Sequence, residues 1–292
     1  MRIGAFTIDG PLPELHQPHA IAMVGPWTDA GRVATLALED IERQFGAQEF
    51  ARIANPGSFY DFTRYRPIAR LTDGTRELSV PNTVVSFARR TDDVDLVIVK
   101  MLEPHICGEA YVEDVISLLE ALGVRRYVWI GSMYDMVPHT RRLLVSGSAI
   151  GSAAQRDVLR LKILPSDYEG PSSITFQIVQ KAPERTMEVL WCIVHLPQYV
   201  QVDEDYVGKV RLMELLQGLY GFSVEDADRE RARDQIETID EAMHGSVELV
   251  SVVSQFERHY QSRLNKRRQG FTALPREVED FLSELGGDEE QG

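Results

Sequence analysis

The sequence predicts an α/β fold: a mixed central sheet with flanking helices, followed by a helical C-terminal region. Three observations predict it. Residues 20–24, 94–99, 127–130 and 189–194 are short, nearly unbroken apolar runs, the pattern of strands covered on both faces. Between them lie apolar stripes at helical spacing. After Val202 there is no strand signal, and the spacing is helical throughout.

In chain order, residues before about His19 are rich in proline and read as an irregular surface arm. Residues 20–24 form a buried strand, closed by Gly25 and Pro26. Thr28 or Asp29 then offers an oxygen to the free N–H groups of a new helix. That helix carries Val33, Ala37, Ile41 and Phe45 on one stripe, and Gly46 stops it. Segments 68–72, 76–80 and 83–87 alternate apolar and polar residues, with Asp73-Gly74 as a hairpin turn, so antiparallel strands are expected. The strand at 94–99, a helix over 110–122 capped by Gly123, and the strand at 127–130 read as a βαβ unit with a parallel pair. Beyond Asp205, Leu212, Leu215, Leu216 and Leu219 form one stripe, and two charged helices follow. The expected organisation is an α/β core over 1–202, a helical region over 203–285 packed on it, and a disordered acidic tail over 286–292. Within these parts, Lys266-Arg267-Arg268 reads as a helix end, and Val278, Phe281, Leu282 and Leu285 have amphipathic helical spacing.

Composition limits function. The 292 residues carry a net charge of −14, and from Asp203 onward 21 acids stand against 11 bases. Such a surface repels phosphate backbones, so neither nucleic acid nor anionic membrane is an expected partner. No apolar run approaches the ~18 residues that span a bilayer. The N-terminus lacks the apolar stretch of a secretion signal. Cys107 and Cys192 sit in apolar surroundings and read as buried, reduced thiols, which fits the cytoplasm.

Four polar stretches follow or interrupt the apolar strands. They are Gly25-Pro26-Trp27-Thr28-Asp29-Ala30-Gly31, Phe59-Tyr60-Asp61-Phe62-Thr63, the stretch from Gly131-Ser132 to His139-Thr140-Arg141, and Tyr168-Glu169-Gly170-Pro171-Ser172. In open α/β sheets, loops at the carboxyl ends of strands converge on a crevice. The candidate pocket residues are therefore Trp27, Asp29, Gly31, Tyr60, Asp61, Ser132, His139 and Glu169. Asp29 in the opening loop disfavours an anion, and Trp27 offers a flat face for a neutral or cationic group. Ser132, Asp135 and His139 supply the residue types of an activated serine, but not the strand-to-helix elbow that presents one. Glu169 reads as a general base or as an acceptor for the next helix. No phosphate-binding glycine motif is present, and His16/His19 and His105/Cys107 lack a second ligand pair. No catalytic set, metal or cofactor is expected.

The ordered set of motifs resembles the proteasome assembly chaperone 2 family. It comprises Gly25 with Trp27-x-Asp29-Ala30-Gly31, then Phe59-Tyr60-Asp61-Phe62-Thr63 with Arg66-Pro67, and Leu122-Gly123-Val124-Arg125-Arg126. Val137-Pro138-His139-Thr140-Arg141, Val145-Ser146-Gly147, Tyr168-Glu169-Gly170-Pro171-Ser172 and Pro197-Gln198-Tyr199-Val200 complete it, across about residues 20–260. The resemblance implies a phosphorylase- or nucleosidase-like α/β fold and a homo-oligomer, a trimer as among bacterial members. It implies a non-catalytic scaffold or assembly-chaperone-like role with a protein-complex partner. The rival is an enzyme or binding protein for a small polar or nucleoside-like metabolite at the strand-end loops. Two departures stand out. Gln198 replaces a histidine common among relatives, and Glu290-Gln291-Gly292 lacks the hydrophobic-Tyr-x ending through which some archaeal relatives enter proteasome pockets.

Overall fold

The computed structural model describes residues 1–270 except 73, 92, 167, 244 and 245, and the side chains of 247 and 266–270 lie outside the description. The expectations for Asp73, the 266–268 basic cluster, the amphipathic segment at 278–285 and the acidic tail therefore fall outside the described residues.

The elements are β1 (Arg2–Ile3), β2 (Phe6–Ile8), β3 (His19–Gly25), α1 (Val33–Phe45), β4 (Gln48–Ile53), β5 (Ile68–Thr72), β6 (Thr75–Ser79) and β7 (Val84–Ala88). Then come β8 (Leu96–Leu102), α2 (Gly108–Ala121), β9 (Arg126–Asp135), β10 (Val145–Ile150), α3 (Ser152–Arg160), β11 (Leu164–Pro165), α4 (Ile174–Lys181) and β12 (Glu188–Pro197). The helices α5 (Tyr206–Tyr220), α6 (Asp226–Met243) and α7 (Val247–Gly270) follow. Ten strands form one mixed sheet in the order β1-β2-β4-β7-β8-β3-β9-β12-β10-β11. Its centre is parallel, β8 to β3 to β9 to β12, with antiparallel neighbours β7 and β10 outside.

The central strands read as unbroken apolar runs because each face meets helices. Side chains alternate across a sheet, so Ala20, Ala22 and Val24 join one core with Val97, Val99 and α2 residues Val112, Val115 and Leu119. Ile21 and Met23 join the other with Leu96, Ile98, Val128 and Ile130, against Val33, Ala37 and Ile41 of α1 and Leu212 and Leu216 of α5. Helix α5 thus covers the sheet beside α1, and its C-cap Gly221 takes the left-handed conformation at φ 73°.

Three expectations are corrected. The N-terminal arm is only partly irregular: residues 9–18 hold no strand or helix, but β1 and β2 extend the sheet edge, and Phe6 and Ile8 are buried there. The strands of the βαβ unit, β8 and β9, are not neighbours, because β3 lies between them and pairs parallel with both. Cys107 is exposed at the start of α2, whereas Cys192 is buried. The hairpin over 68–79 is present, but it stands apart from the main sheet as a two-stranded ribbon in which all the side chains of β5 and β6 are exposed.

Candidate functional site

The opening loop is laced to β9. Ser132 N donates to the Thr28 carbonyl at 2.9 Å, and Ser132 Oγ donates to the Ala30 carbonyl at 2.7 Å. Asp29 closes the start of α1: its Oδ1 accepts from Ala34 N at 2.8 Å and Thr35 N at 3.2 Å, and its Oδ2 accepts from the Thr35 hydroxyl at 2.6 Å. A cap of this kind is worth about 1 kcal/mol. Burial pushes the Asp29 carboxyl above the usual carboxylate range, and these hydrogen bonds oppose the rise. Gly31 has a φ of +59°, and a Cβ there would lie 2.6 Å from the Cβ of Asp205. Its carbonyl accepts from Asp205 N at 2.8 Å, and Asp205 in turn caps α5 through Gly208 N at 2.7 Å. Asp29, Gly31 and Ser132 therefore join loop, helix and sheet.

Trp27 points the other way. It is 59% exposed and lines a cavity of about 430 Å³ over the sheet face that carries Trp129 and Met133 of β9 and Trp191 and Ile193 of β12. Trp129 and Trp191, paired in register on those two strands with ring centroids 5.7 Å apart, form its inner wall. Tyr168 and Phe176 enclose it from the loop before α4 and from α4 itself. An adjoining cavity of about 540 Å³ is more polar: Asp135, Glu169, His195, His259 and Arg263 line it. Met133, Ser146, Ser166 and Tyr168 belong to both walls. Glu169 does not cap α4, because Glu103 Oε1 accepts from Ile174 N at 2.7 Å.

The remaining candidates lie elsewhere. Tyr60 is buried, with its hydroxyl 2.6 Å from Thr83 Oγ1, which is itself 2.6 Å from the Tyr111 hydroxyl. Burial pushes the Tyr60 phenol up to about 12. Asp61 is exposed and accepts from the Thr63 backbone and hydroxyl. His139 is buried between Tyr199 Oη at 2.7 Å and Asp240 Oδ1 at 3.0 Å. Ser132, His139 and Asp135 consequently make no relay.

A different set does come together. His195 Nδ1 lies 2.6 Å from Asp135 Oδ2, and His195 Nε2 lies 2.6 Å from Ser146 Oγ. Burial alone would raise the Asp135 carboxyl. Hydrogen bonds from His195 and Arg263 outweigh it and hold the group well below the usual carboxylate range. Reading loops missed Ser146, His195, Trp129 and Trp191, all of which lie within strands. The available signal was a polar residue inside an apolar strand, as His195 is after Val194 and Ser146 after Val145.

A second charged cluster lies under α5. Asp40, Glu225 and Asp228 approach one another closely enough to hold an ion. Lys209 Nζ already supplies positive charge there, 2.7 Å from Asp40 and 2.8 Å from Asp228, and Arg43 also reaches Asp40 and Glu225.

The model of the PAC2 family matches residues 23–244. The chain belongs to the PAC2 family. A PAC2 family protein from Streptomyces avermitilis is 25% identical, with 82% of this chain and 99% of that one covered and a TM-score of 0.70. A Mycobacterium tuberculosis proteasome-assembly chaperone homologue is 23% identical over 80% of this chain and 99% of its own, with a TM-score of 0.71. A Pyrococcus furiosus archaeal proteasome activator is 15% identical, covers 82% of this PAC2 chain and 98% of its own, and has a TM-score of 0.63. No functionally curated protein matches. The PAC2 fold accounts for the mixed ten-stranded sheet and its flanking helices. Among the described residues of this PAC2 chain, no helix is long and apolar enough to cross a membrane.

Proposed function

We propose that this PAC2-family chain is a cytoplasmic homo-oligomer, a trimer, that serves as an assembly-chaperone-like factor for another protein complex. The observation that carries the reading is the β5–β6 ribbon. Register sets Ala69 opposite Leu78, and alternation places Leu71 on the same face. Leu71 is 73% and Leu78 64% exposed. A lone two-stranded ribbon is marginal in water, so apolar side chains held out on one call for a covering surface. Closed symmetric assemblies of identical chains are the common way to supply it. Arg70 and Arg76 on the ribbon suit a second copy of a chain whose net charge is −14.

The partner complex is inferred from relatives. One structural neighbour is a proteasome-assembly chaperone homologue and another a proteasome activator. The test is native mass spectrometry of the tagged full-length chain with separately purified proteasome core-particle subunits from the same organism. A stoichiometric complex is expected. Recovery of the chain and the subunits as separate species at micromolar concentration would remove the proteasome as the partner.

A further inference from the structure

We propose that Ser146, His195 and Asp135 form a nucleophilic relay, and that the aromatic cavity beside Ser146 seats the apolar acyl group of a carboxylic ester. This goes beyond the assembly role and does not depend on it.

The geometry has the order that an activated serine requires. Asp135 Oδ2 accepts from His195 Nδ1–H at 2.6 Å, which fixes the tautomer with a lone pair on Nε2. Nε2 then accepts from the Ser146 hydroxyl at 2.6 Å. The third group is itself anchored: Asp135 Oδ1 accepts from Met136 N at 2.7 Å, and Arg263 of α7 reaches Oδ2. The three residues come from three adjacent strands, β9, β12 and β10, whose hydrogen-bonded register fixes their spacing. Rigid strands are better supports for such a set than loops.

Two further observations separate this relay from a merely satisfied polar cluster. Ser146, buried at 4% exposure, lies on the wall of both cavities, where an apolar pocket meets a polar one. The apolar side, with Trp129, Trp191 and Phe176, fits an aliphatic or aryl acyl chain. The polar side, with His259 and Arg263, fits the alcohol portion and the entering water. Ser166 and Ser172 also line the aromatic cavity, and a serine hydroxyl is the donor type a developing oxyanion requires.

The reaction balances with water as the only co-reactant. Ser146 Oγ attacks the ester carbonyl carbon as its proton passes to His195 Nε2. The carbon–oxygen bond to the alcohol breaks, and Nε2 returns the proton to the leaving oxygen. Water then attacks the acyl-serine and gives a proton to Nε2. The carbon–Oγ bond breaks, that proton returns to Ser146, and the carboxylic acid leaves.

The full-length chain is treated with an alkyl fluorophosphonate, in which an activated serine displaces fluoride, and then mapped by peptide mass spectrometry. One adduct at Ser146 is expected, together with slow hydrolysis of p-nitrophenyl butyrate. Both should vanish in Ser146→Ala and fall by about 100-fold or more in His195→Gln. Near-UV circular dichroism verifies that each variant is folded. The mapped wild-type adduct decides the question even if a variant fails to fold. An unlabelled Ser146 under conditions that saturate a control serine hydrolase would overturn the proposal, as would an adduct elsewhere alone. The readout does not involve oligomeric state or proteasome subunits, so it stands or falls separately from the assembly role.

Discussion

Lys209→Met is expected to lower the unfolding free energy by about 3–5 kcal/mol, the usual cost of stranding buried charge. Lys209, Asp40 and Asp228 have side chains only 4%, 4% and 5% exposed, and the Lys209 ammonium bridges the two carboxylates. Methionine keeps the apolar stem and removes only the charge, so the loss reports the ion cluster rather than packing. Burial and the nearby Asp40 raise the Asp228 carboxyl, with Lys209 opposing. Burial alone would also raise Asp40, but hydrogen bonds from Lys209 and Asp228 hold it below the usual range. Burial pulls the Lys209 ammonium down, and its two carboxylate partners more than reverse this. The Lys209 contribution is therefore present at neutral pH and is lost only as pH rises through the raised folded value, above 10.5.

In Lys209→Met the sign reverses for Asp40, which then joins Asp228 above its unfolded value, because burial outweighs the one cation left beside it, Arg43. The folded variant then binds more protons than the unfolded chain, and its stability falls as pH rises through those values. Urea denaturation should show a larger deficit at pH 8 than at pH 5. The triple variant Lys209→Met/Asp40→Asn/Asp228→Asn should recover much of the loss. An equal deficit at both pH values would show that the acids are not the cause.

Gly147→Ala is expected to cost about 3 kcal/mol or more, at the upper end of overpacking penalties. A Cβ at Gly147 would lie 2.0 Å from the carbonyl oxygen of Trp191 and 3.0 Å from its carbonyl carbon. Both belong to the backbone of β12, paired with β10 at Gly147↔Cys192 and Ser148↔Trp191, so no side-chain rotation relieves the clash. The strands must separate beside Ser146 and Trp191. Thermal unfolding checks the size of the effect, and loss of near-UV signal from Trp191 checks its place. A melting temperature within a degree of wild type would contradict this reading. The Val145-Ser146-Gly147 motif thus combines a strand contact that only glycine allows with a hydroxyl on a cavity wall.

Much of the fold was legible because the central strands are covered on both sides. Residues 20–24 and 96–99 are apolar at every second position and also in between, since one set meets α2 and the other meets α1. Helix α1 was legible from Val33, Ala37 and Ile41, and the acceptor for its first-turn N–H groups from Asp29. Strands β1 and β2 were not, because two- and three-residue strands carry no period that can be counted. Strand order was hidden as well: β3 sits between β8 and β9 by a choice of long-range pairing that no local pattern records.

The candidate site was legible in part. Trp27 and Glu169 do line the two cavities. Ser132 and His139 drew notice through nearness in sequence to Asp135, yet the sheet turns them to other partners. Ser146 and His195 lie on separate strands, and their pairing with Asp135 arises only from the register of β9, β12 and β10. Likewise, the alternating segments 68–72 and 76–80 announced a hairpin but not that it would stand clear of the sheet.

That ribbon decides the assembly reading, and sedimentation velocity tests it most directly. Wild-type chain and Leu71→Asp/Leu78→Asp are compared at micromolar concentration, with circular dichroism to show that both are folded. Wild type is predicted to sediment as a trimer of the 33.0 kDa chain and the double variant as a folded monomer. A wild-type monomer across the concentration range, or an oligomer unchanged by the two aspartates, would contradict it.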